Sequence, residues 1–350
     1  MIHTFKYSRT IRIWLLIGLV MLIGQVVIGG ITRLTGSGLS ITKWDILTGV
    51  IPPLNAEQWL QAFNLYKETP QFHKINSLFS VSDFKFIYFW EYFHRLWVRA
   101  LGIIFLIPFV FFVFRKKIDG YLIKRLGLVV LLTIITASAG WIMVKSGLVN
   151  KPWVNAYKLT LHFVLAVLVV VAMVRTIADV YNYGSSRKKQ NVSIVKIGIT
   201  VTFFQMVIAG LMAGMRAGLY YPSWPDMNGE FLPSVLKNSE NYSLGNLINY
   251  DSYLFAPALV QFSHRILAYI LLGIIIYMFM ILKNKINNRA RKWLDYTVIL
   301  IVIQVVLGIL TVLEVDGKIP LLLAVSHQLI GLLFLISIMF LHFSLRKVKA

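Results

Sequence analysis

Long apolar stretches, separated by shorter charged segments, run the length of the chain. A helix needs ~20 mostly apolar residues to cross the hydrocarbon core of a bilayer. Eight stretches meet that length: 13–31, 86–114, 126–144, 159–178, 197–214, 258–282, 294–313 and 321–345. The first exceeds the apolar core of a typical secretory signal, and no small-residue cleavage site follows Gly29-Gly30-Ile31-Thr32, so it is read as a retained span. The pattern predicts an all-α integral membrane protein with eight transmembrane helices.

Composition agrees and narrows the class. Of 350 residues 58% are hydrophobic and 14% charged, with a mean hydropathy of +0.73. Ordinary soluble domains hold about 25% charged and 45–50% apolar residues. A soluble enzyme of this size could not bury so much apolar surface, and a disordered chain or a secreted disulfide scaffold is excluded as well. With no cysteine there is no disulfide framework, no Cys-bound zinc or iron–sulfur cluster and no thiol nucleophile.

The net charge of +21 would point to nucleic acid on a soluble protein. Its distribution points elsewhere. Each tail carries three basic residues (Lys6, Arg9, Arg12; Arg346, Lys347, Lys349), and the loops after spans two, four and six carry five each. The opposite side is close to neutral. The positive-inside rule then puts both termini in the cytoplasm, and no nucleic-acid partner is expected. The two longest loops, 32–85 and 215–257, lie outside in this topology. They contain Trp44, Pro52-Pro53, Trp59 and Tyr221-Pro222-Ser223-Trp224-Pro225, which favours folded caps over passive tethers.

The two halves repeat each other. Gln25-Val26-Val27-Ile28-Gly29-Gly30 in span one matches Gln205-Met206-Val207-Ile208-Ala209-Gly210 in span five, and His94-Arg95 in span two matches His264-Arg265 in span six. Spans four and eight each carry one histidine near their start, His162 and His327. An even number of spans per half makes this a parallel repeat. The expected organisation is an N-terminal four-helix half over 1–178, a basic cytoplasmic linker over 179–196 and a C-terminal four-helix half over 197–350. The two bundles are pictured side by side.

Four histidines within spans define the candidate chemistry. His94, His162, His264 and His327 fall within about three to eight residues of the outer starts of even-numbered spans, one layer ~5–12 Å deep at 1.5 Å per residue. Two imidazoles per half at one depth suit the two faces of a heme. Ionisable groups at such depth are costly and tend to be functional. Helix packing, or a quinone or proton relay, are the alternatives. Zinc or copper lacks ligands, since no cysteine or paired carboxylate completes the set. Arg95 and Arg265 follow a histidine directly and suit heme propionates, or else snorkel to the interface. Glu91 shares a helix face with His94, whereas the second half has Gln261 there. That asymmetry points to a reactive first half and a holding second half, with a Glu91–Arg95 ion pair as the plainer reading. His3, His73 and His342 have no counterpart in the repeat and are read as non-ligands.

Taken together, the eight spans, the two homologous halves, Glu91-x-x-His94-Arg95 and single histidines in spans four, six and eight resemble the heme A synthase family over nearly the whole chain. The loop stretches Gly29–Ser40 and Ala217–Gly229 share in the resemblance. It implies oxidation of a methyl group of heme O to the formyl group of heme A, for cytochrome oxidase assembly. It also implies a resident heme b on His264 and His327, and a substrate-heme site at His94 and His162 with Glu91 as acid–base or charge-stabilising group. Heme O synthase would supply the substrate, and an unidentified carrier would take the electrons. Some bacterial members carry a cysteine pair in the first outer loop; this chain has none and resembles the branch of alphaproteobacteria and mitochondria. Twelve residues before span one are few for a mitochondrial presequence, so a bacterial inner membrane is expected. The rival reading from the residues is a di-heme electron-transfer cytochrome that oxidises quinol and modifies nothing; Glu91 against Gln261 weighs against its symmetry.

Overall fold

The computed structural model describes residues 6–42, 51–147, 151–184 and 192–346, without the side chain at 146. His3, Trp44, the linker's Arg187-Lys188-Lys189 and the tail's Lys347 and Lys349 lie outside the described residues. Every long element is helical. In chain order they are α1 (Arg9–Leu34), α2 (Ala56–Lys67), α3 (Pro70–Lys74), α4 (Val81–Phe114), α5 (Gly120–Gly147), α6 (Ala156–Val180), α7 (Ser193–Met215), α8 (Leu244–Ile248), α9 (Phe255–Leu282), α10 (Asn288–Leu313) and α11 (Leu321–Ser344). All but α2, α3 and α8 are long and apolar enough to cross a membrane. The eight spans are therefore all present, and the chain is a multi-pass membrane protein.

Threonine hydroxyls inside these helices are satisfied locally, as a lipid environment demands. Hydroxyls of Thr32, Thr133, Thr136, Thr160, Thr176, Thr202, Thr297 and Thr311 each donate to the carbonyl four residues back.

Some spans start earlier than their apolar runs, for local reasons. At α4 the Ser80 hydroxyl receives the Asp83 N–H, while the Asp83 carboxylate receives the Ser80 N–H at 2.9 Å, a reciprocal cap. This first turn then carries Phe84, Ile87 and Tyr88, against which α2 packs Trp59, Phe63 and Tyr66. The second long loop folds likewise onto α9: Tyr242 meets Phe255 edge-on at 4.8 Å, and Leu236 is buried beside Ala258. The described parts of both long loops are folded.

Two compact units make up the chain: Ile17–Ala166, and Val167–Ala350 together with Met1–Leu16. In the second, α10 packs along α11 and α7 along α9, with α7 against α11 and α9 against α10. Its core joins Leu271, Ile275 and Met278 of α9 to Leu294 and Ile301 of α10 and to Phe334, Ile338 and Leu341 of α11. In the first unit, α1 meets α4 where Trp97 Nε1 donates to the Met21 carbonyl at 2.9 Å. There α5 meets α6 at His162.

Candidate functional site

Each half builds its histidine pair from the same four helix positions. Gln25 of α1 reaches His94 of α4: its amide nitrogen lies 2.8 Å from Nε2 and 3.3 Å from the His94 carbonyl oxygen. Gln205 of α7 does the same to His264 of α9, at 3.2 Å from Nδ1 and 2.9 Å from the carbonyl. A carbonyl only accepts, so in both cases the amide NH2 must face the histidine.

The second histidine of each half is held by the neighbouring helix. His162 Nδ1 donates to the Thr136 carbonyl of α5 at 2.9 Å, and His327 Nδ1 to the Gln304 carbonyl of α10 at 3.1 Å. Nδ1 as donor makes Nε2 the acceptor, the tautomer that an iron ligand needs. Four residues beyond each carbonyl stands a glycine that the imidazole approaches closely. A Cβ on Gly140 would come within 2.8 Å of His162 Cε1, and one on Gly308 within 2.9 Å of His327 Cε1. Close approach of ring to backbone requires glycine at both places.

His264 and His327 face each other with ring centres 6.3 Å apart. Two imidazoles bound to opposite sides of one metal through nitrogens at ~2.0–2.1 Å have ring centres roughly 6 Å apart. This spacing fits a bis-histidine heme; the acceptor nitrogen is Nε2 in His327 and, facing the Gln205 amide, Nδ1 in His264. Among the described residues no group of three or more His, Cys, Asp or Glu could hold a bare metal ion.

Counted from the helix starts, the four histidines do not all stand at the same position. His162 and His327 each lie six residues beyond the first residue of α6 and α11, but His94 and His264 lie 13 and nine residues beyond those of α4 and α9. The difference arises because α4 and α9 extend outward to carry the folded loops.

Glu91, 3% exposed, is paired with Arg95, 9% exposed. Its other oxygen accepts three hydrogen bonds: from the Ser40 N–H and hydroxyl, both at 2.7 Å, and from the Ile41 N–H at 2.9 Å. The carboxylate thus ties the segment after α1 to α4. At the matching place Gln261 donates to the Tyr221 carbonyl at 2.9 Å, and Arg265 donates to the carbonyls of Tyr221, Ser223 and Asp226. Arg265 therefore anchors the second long loop. Below it the loop and α9 leave a small cleft between Met227, Phe231, Phe262 and Tyr269.

His73 is exposed on α3, and His342 accepts from Arg346 near the end of α11; neither joins the four. Sequence reasoning missed Ser40, Thr136, Gly140, Gln304 and Gly308, and used Gln25 and Gln205 only as markers of the repeat. A signal was available: Thr136 and Gln304 each precede a glycine by four residues in the helix before a histidine-bearing one.

Comparison with known proteins agrees over the whole chain. The family profile COX15-CtaA, cytochrome oxidase assembly protein, matches residues 12–339. A protein of Nitrosospira multiformis named heme A synthase is 36% identical over 350 residues, covering 98% of this chain and 95% of its own. Proteins of the same name from Flavobacterium johnsoniae (36% over 340 residues, 95% and 97% covered) and Wolbachia pipientis wMel (34% over 348 residues, 98% and 95%) are similar throughout.

Proposed function

The chain belongs to the COX15-CtaA family of cytochrome oxidase assembly proteins, and from that premise we propose that it is a heme A synthase, an oxidoreductase that converts a methyl group of heme O to the formyl group of heme A. The observation that carries the site assignment is the doubled histidine set, held by equivalent glutamine, carbonyl and glycine positions, with an ionisable carboxylate beside only one of the two.

His264 and His327 hold a resident heme b. When bound, it supplies a one-electron couple that the 20 side chains lack. His94 and His162 receive the substrate heme O. His162 is already in the ligating tautomer, and its Nε2 has no hydrogen-bond partner among the described residues. Glu91 offers a carboxylate one helical turn from His94, fixed by Ser40, Ile41 and Arg95. It stabilises positive charge developing at the oxidised carbon or takes the released proton. Arg95, paired with Glu91, and Arg265, bonded to carbonyls of the second loop, stand one residue beyond a ligand and place fixed positive charge for heme propionates. The large apolar substrate enters from the bilayer after synthesis by heme O synthase, and the electrons pass to a membrane carrier. The basic loops orient the chain in a bacterial inner membrane with both termini in the cytoplasm.

The test is the pigment profile. Hemes extracted from the protein, expressed in a host that makes heme O, should resolve by chromatography into heme B together with heme O and heme A. Heme B alone, with no heme A formed in the cells, would instead support the electron-transfer cytochrome.

A further inference from the structure

The two halves differ at one position beside the second histidine. In the C-terminal half, Gln304 engages both ring nitrogens of His327: its carbonyl takes the Nδ1 proton at 3.1 Å, and its side-chain amide nitrogen lies 3.2 Å from Nε2. Since Nδ1 is the donor, Nε2 carries the lone pair, and the amide must present N–H to it. The amide oxygen is buried without a hydrogen-bond partner, so the imidazole is what holds that amide in place. In the N-terminal half the equivalent residue is Thr136. Its hydroxyl turns back to the Leu132 carbonyl at 2.7 Å, and Nε2 of His162 stays open.

A second position changes in step with the first. One turn beyond His327, Gly331 makes room for the amide, since a Cβ there would stand 3.0 Å from Gln304 Nε2. One turn beyond His162 the residue is Ala166. The long side chain faces glycine, and in the half with the short one the matching residue is alanine.

We propose that Gln304 is a positioning residue that caps the Nε2 lone pair of His327 and competes with heme iron for it, whereas Thr136 leaves His162 open to a ligand that enters and leaves in every turnover. The physical reason lies in the cost of a buried acceptor with no partner. A histidine that waits once for a permanent heme is best kept satisfied. One that must accept a new substrate heme each time is best left free. In the substrate half that open position is His162 alone, since His94 Nε2 already meets the Gln25 amide at 2.8 Å. The proposal rests on the assignment of resident and substrate hemes above.

Hemin binding to the full-length protein in detergent tests it one half at a time. In a His162→Ala background, binding reports on the second half. There Gln304→Thr should tighten hemin binding by about 2- to 10-fold, the fold-change that corresponds to one net hydrogen bond no longer broken on ligation. Gly331→Ala, which pushes the amide aside without deleting it, should shift affinity in the same direction. In a His327→Ala background, Thr136→Gln should weaken binding to the first half by a similar factor. The low-spin bis-histidine spectrum of heme in the second half should be unchanged by Gln304→Thr. The sign is decisive, because losing a merely structural contact loosens binding. Unchanged or weaker hemin binding in both Gln304→Thr and Gly331→Ala overturns the proposal. If His162→Ala/His327→Ala binds hemin with the spectrum and affinity of His162→Ala alone, it is the ligand assignment that fails.

Discussion

At the ends of their second spans, the two halves fasten a long loop to the same helical face with opposite polarity. In the N-terminal half the helix supplies the acceptor: Glu91 collects the N–H groups of Ser40 and Ile41 and the Ser40 hydroxyl, and it neutralises Arg95. In the C-terminal half the helix supplies the donors: Gln261 and Arg265 bond to main-chain carbonyls of Tyr221, Ser223 and Asp226. A buried carboxylate can exchange a proton or balance a developing charge; an amide bonded to a carbonyl can do neither. The same scaffold therefore carries an ionisable group in one half and a neutral amide in the other. Glu91 anchors a loop from a position one helical turn before His94.

The largest effect should come from breaking the histidine pair. His264→Ala or His327→Ala should lose the resident heme b almost completely, seen as loss of the low-spin spectrum from purified protein. His94→Ala or His162→Ala should keep heme b and stop heme A formation. If the two pairs of variants exchange these phenotypes, the roles of the halves are reversed.

Next in size is Glu91→Gln, which copies Gln261 into the first half. Heme A formation should fall about 10²–10⁴-fold, as for loss of a positioned acid–base group, while heme b is retained and heme O accumulates. Glu91→Asp keeps the charge and should recover part of the activity. Near-normal heme A with Glu91→Gln would leave the carboxylate only its anchoring bonds.

The glycine shelves give a smaller, paired effect. A methyl at either site meets an imidazole carbon at 2.8–2.9 Å, and overpacking of this kind costs about 1–3 kcal/mol. Gly308→Ala should lower heme b content, whereas Gly140→Ala should leave it and slow heme A formation. Equal loss of heme b from both would show that the shelves do not serve separate sites.

The smallest effect concerns pH at the second loop. The Ser223 hydroxyl beside Asp226, and the Ser234 N–H and Lys237 beside Glu230, lower both carboxyl groups below their ordinary range. A depressed folded value stabilises the loop above the ordinary carboxylate range and loses that contribution as pH falls through the lowered values. Protease cutting within 223–237 should thus be flat at neutral pH and rise only under strong acid. Arg265→Ala should raise it at every pH, because its three carbonyl acceptors do not titrate there. A rise in cutting near neutral pH would assign the loop's stability to other groups.

The spans, the repeat and the four histidines were legible because each is a pattern along the chain. Residues 13–31 declare a span by length and apolarity, and His94 and His264 declare a repeat by the arginine that follows each. Ser40 was not legible as the partner of Glu91, 51 positions away. Nor was the packing of α2 aromatic residues on the first turns of α4. Arg265 was read toward a propionate, and the structure shows it engaged with loop carbonyls.

The sequence by itself determined which segments enter the membrane and which ionisable residues go with them. Transfer of a side chain out of water has a free energy set by its own chemistry, so those terms can be read position by position. Only the tertiary structure decided which polar group meets which: Glu91 with Ser40 and Ile41, His264 with His327, and Gln304 with both nitrogens of one imidazole where Thr136 meets only one. Hydrogen bonds act over about 3 Å and within a narrow range of angles. Helix packing alone brings residues so far apart in sequence within that reach.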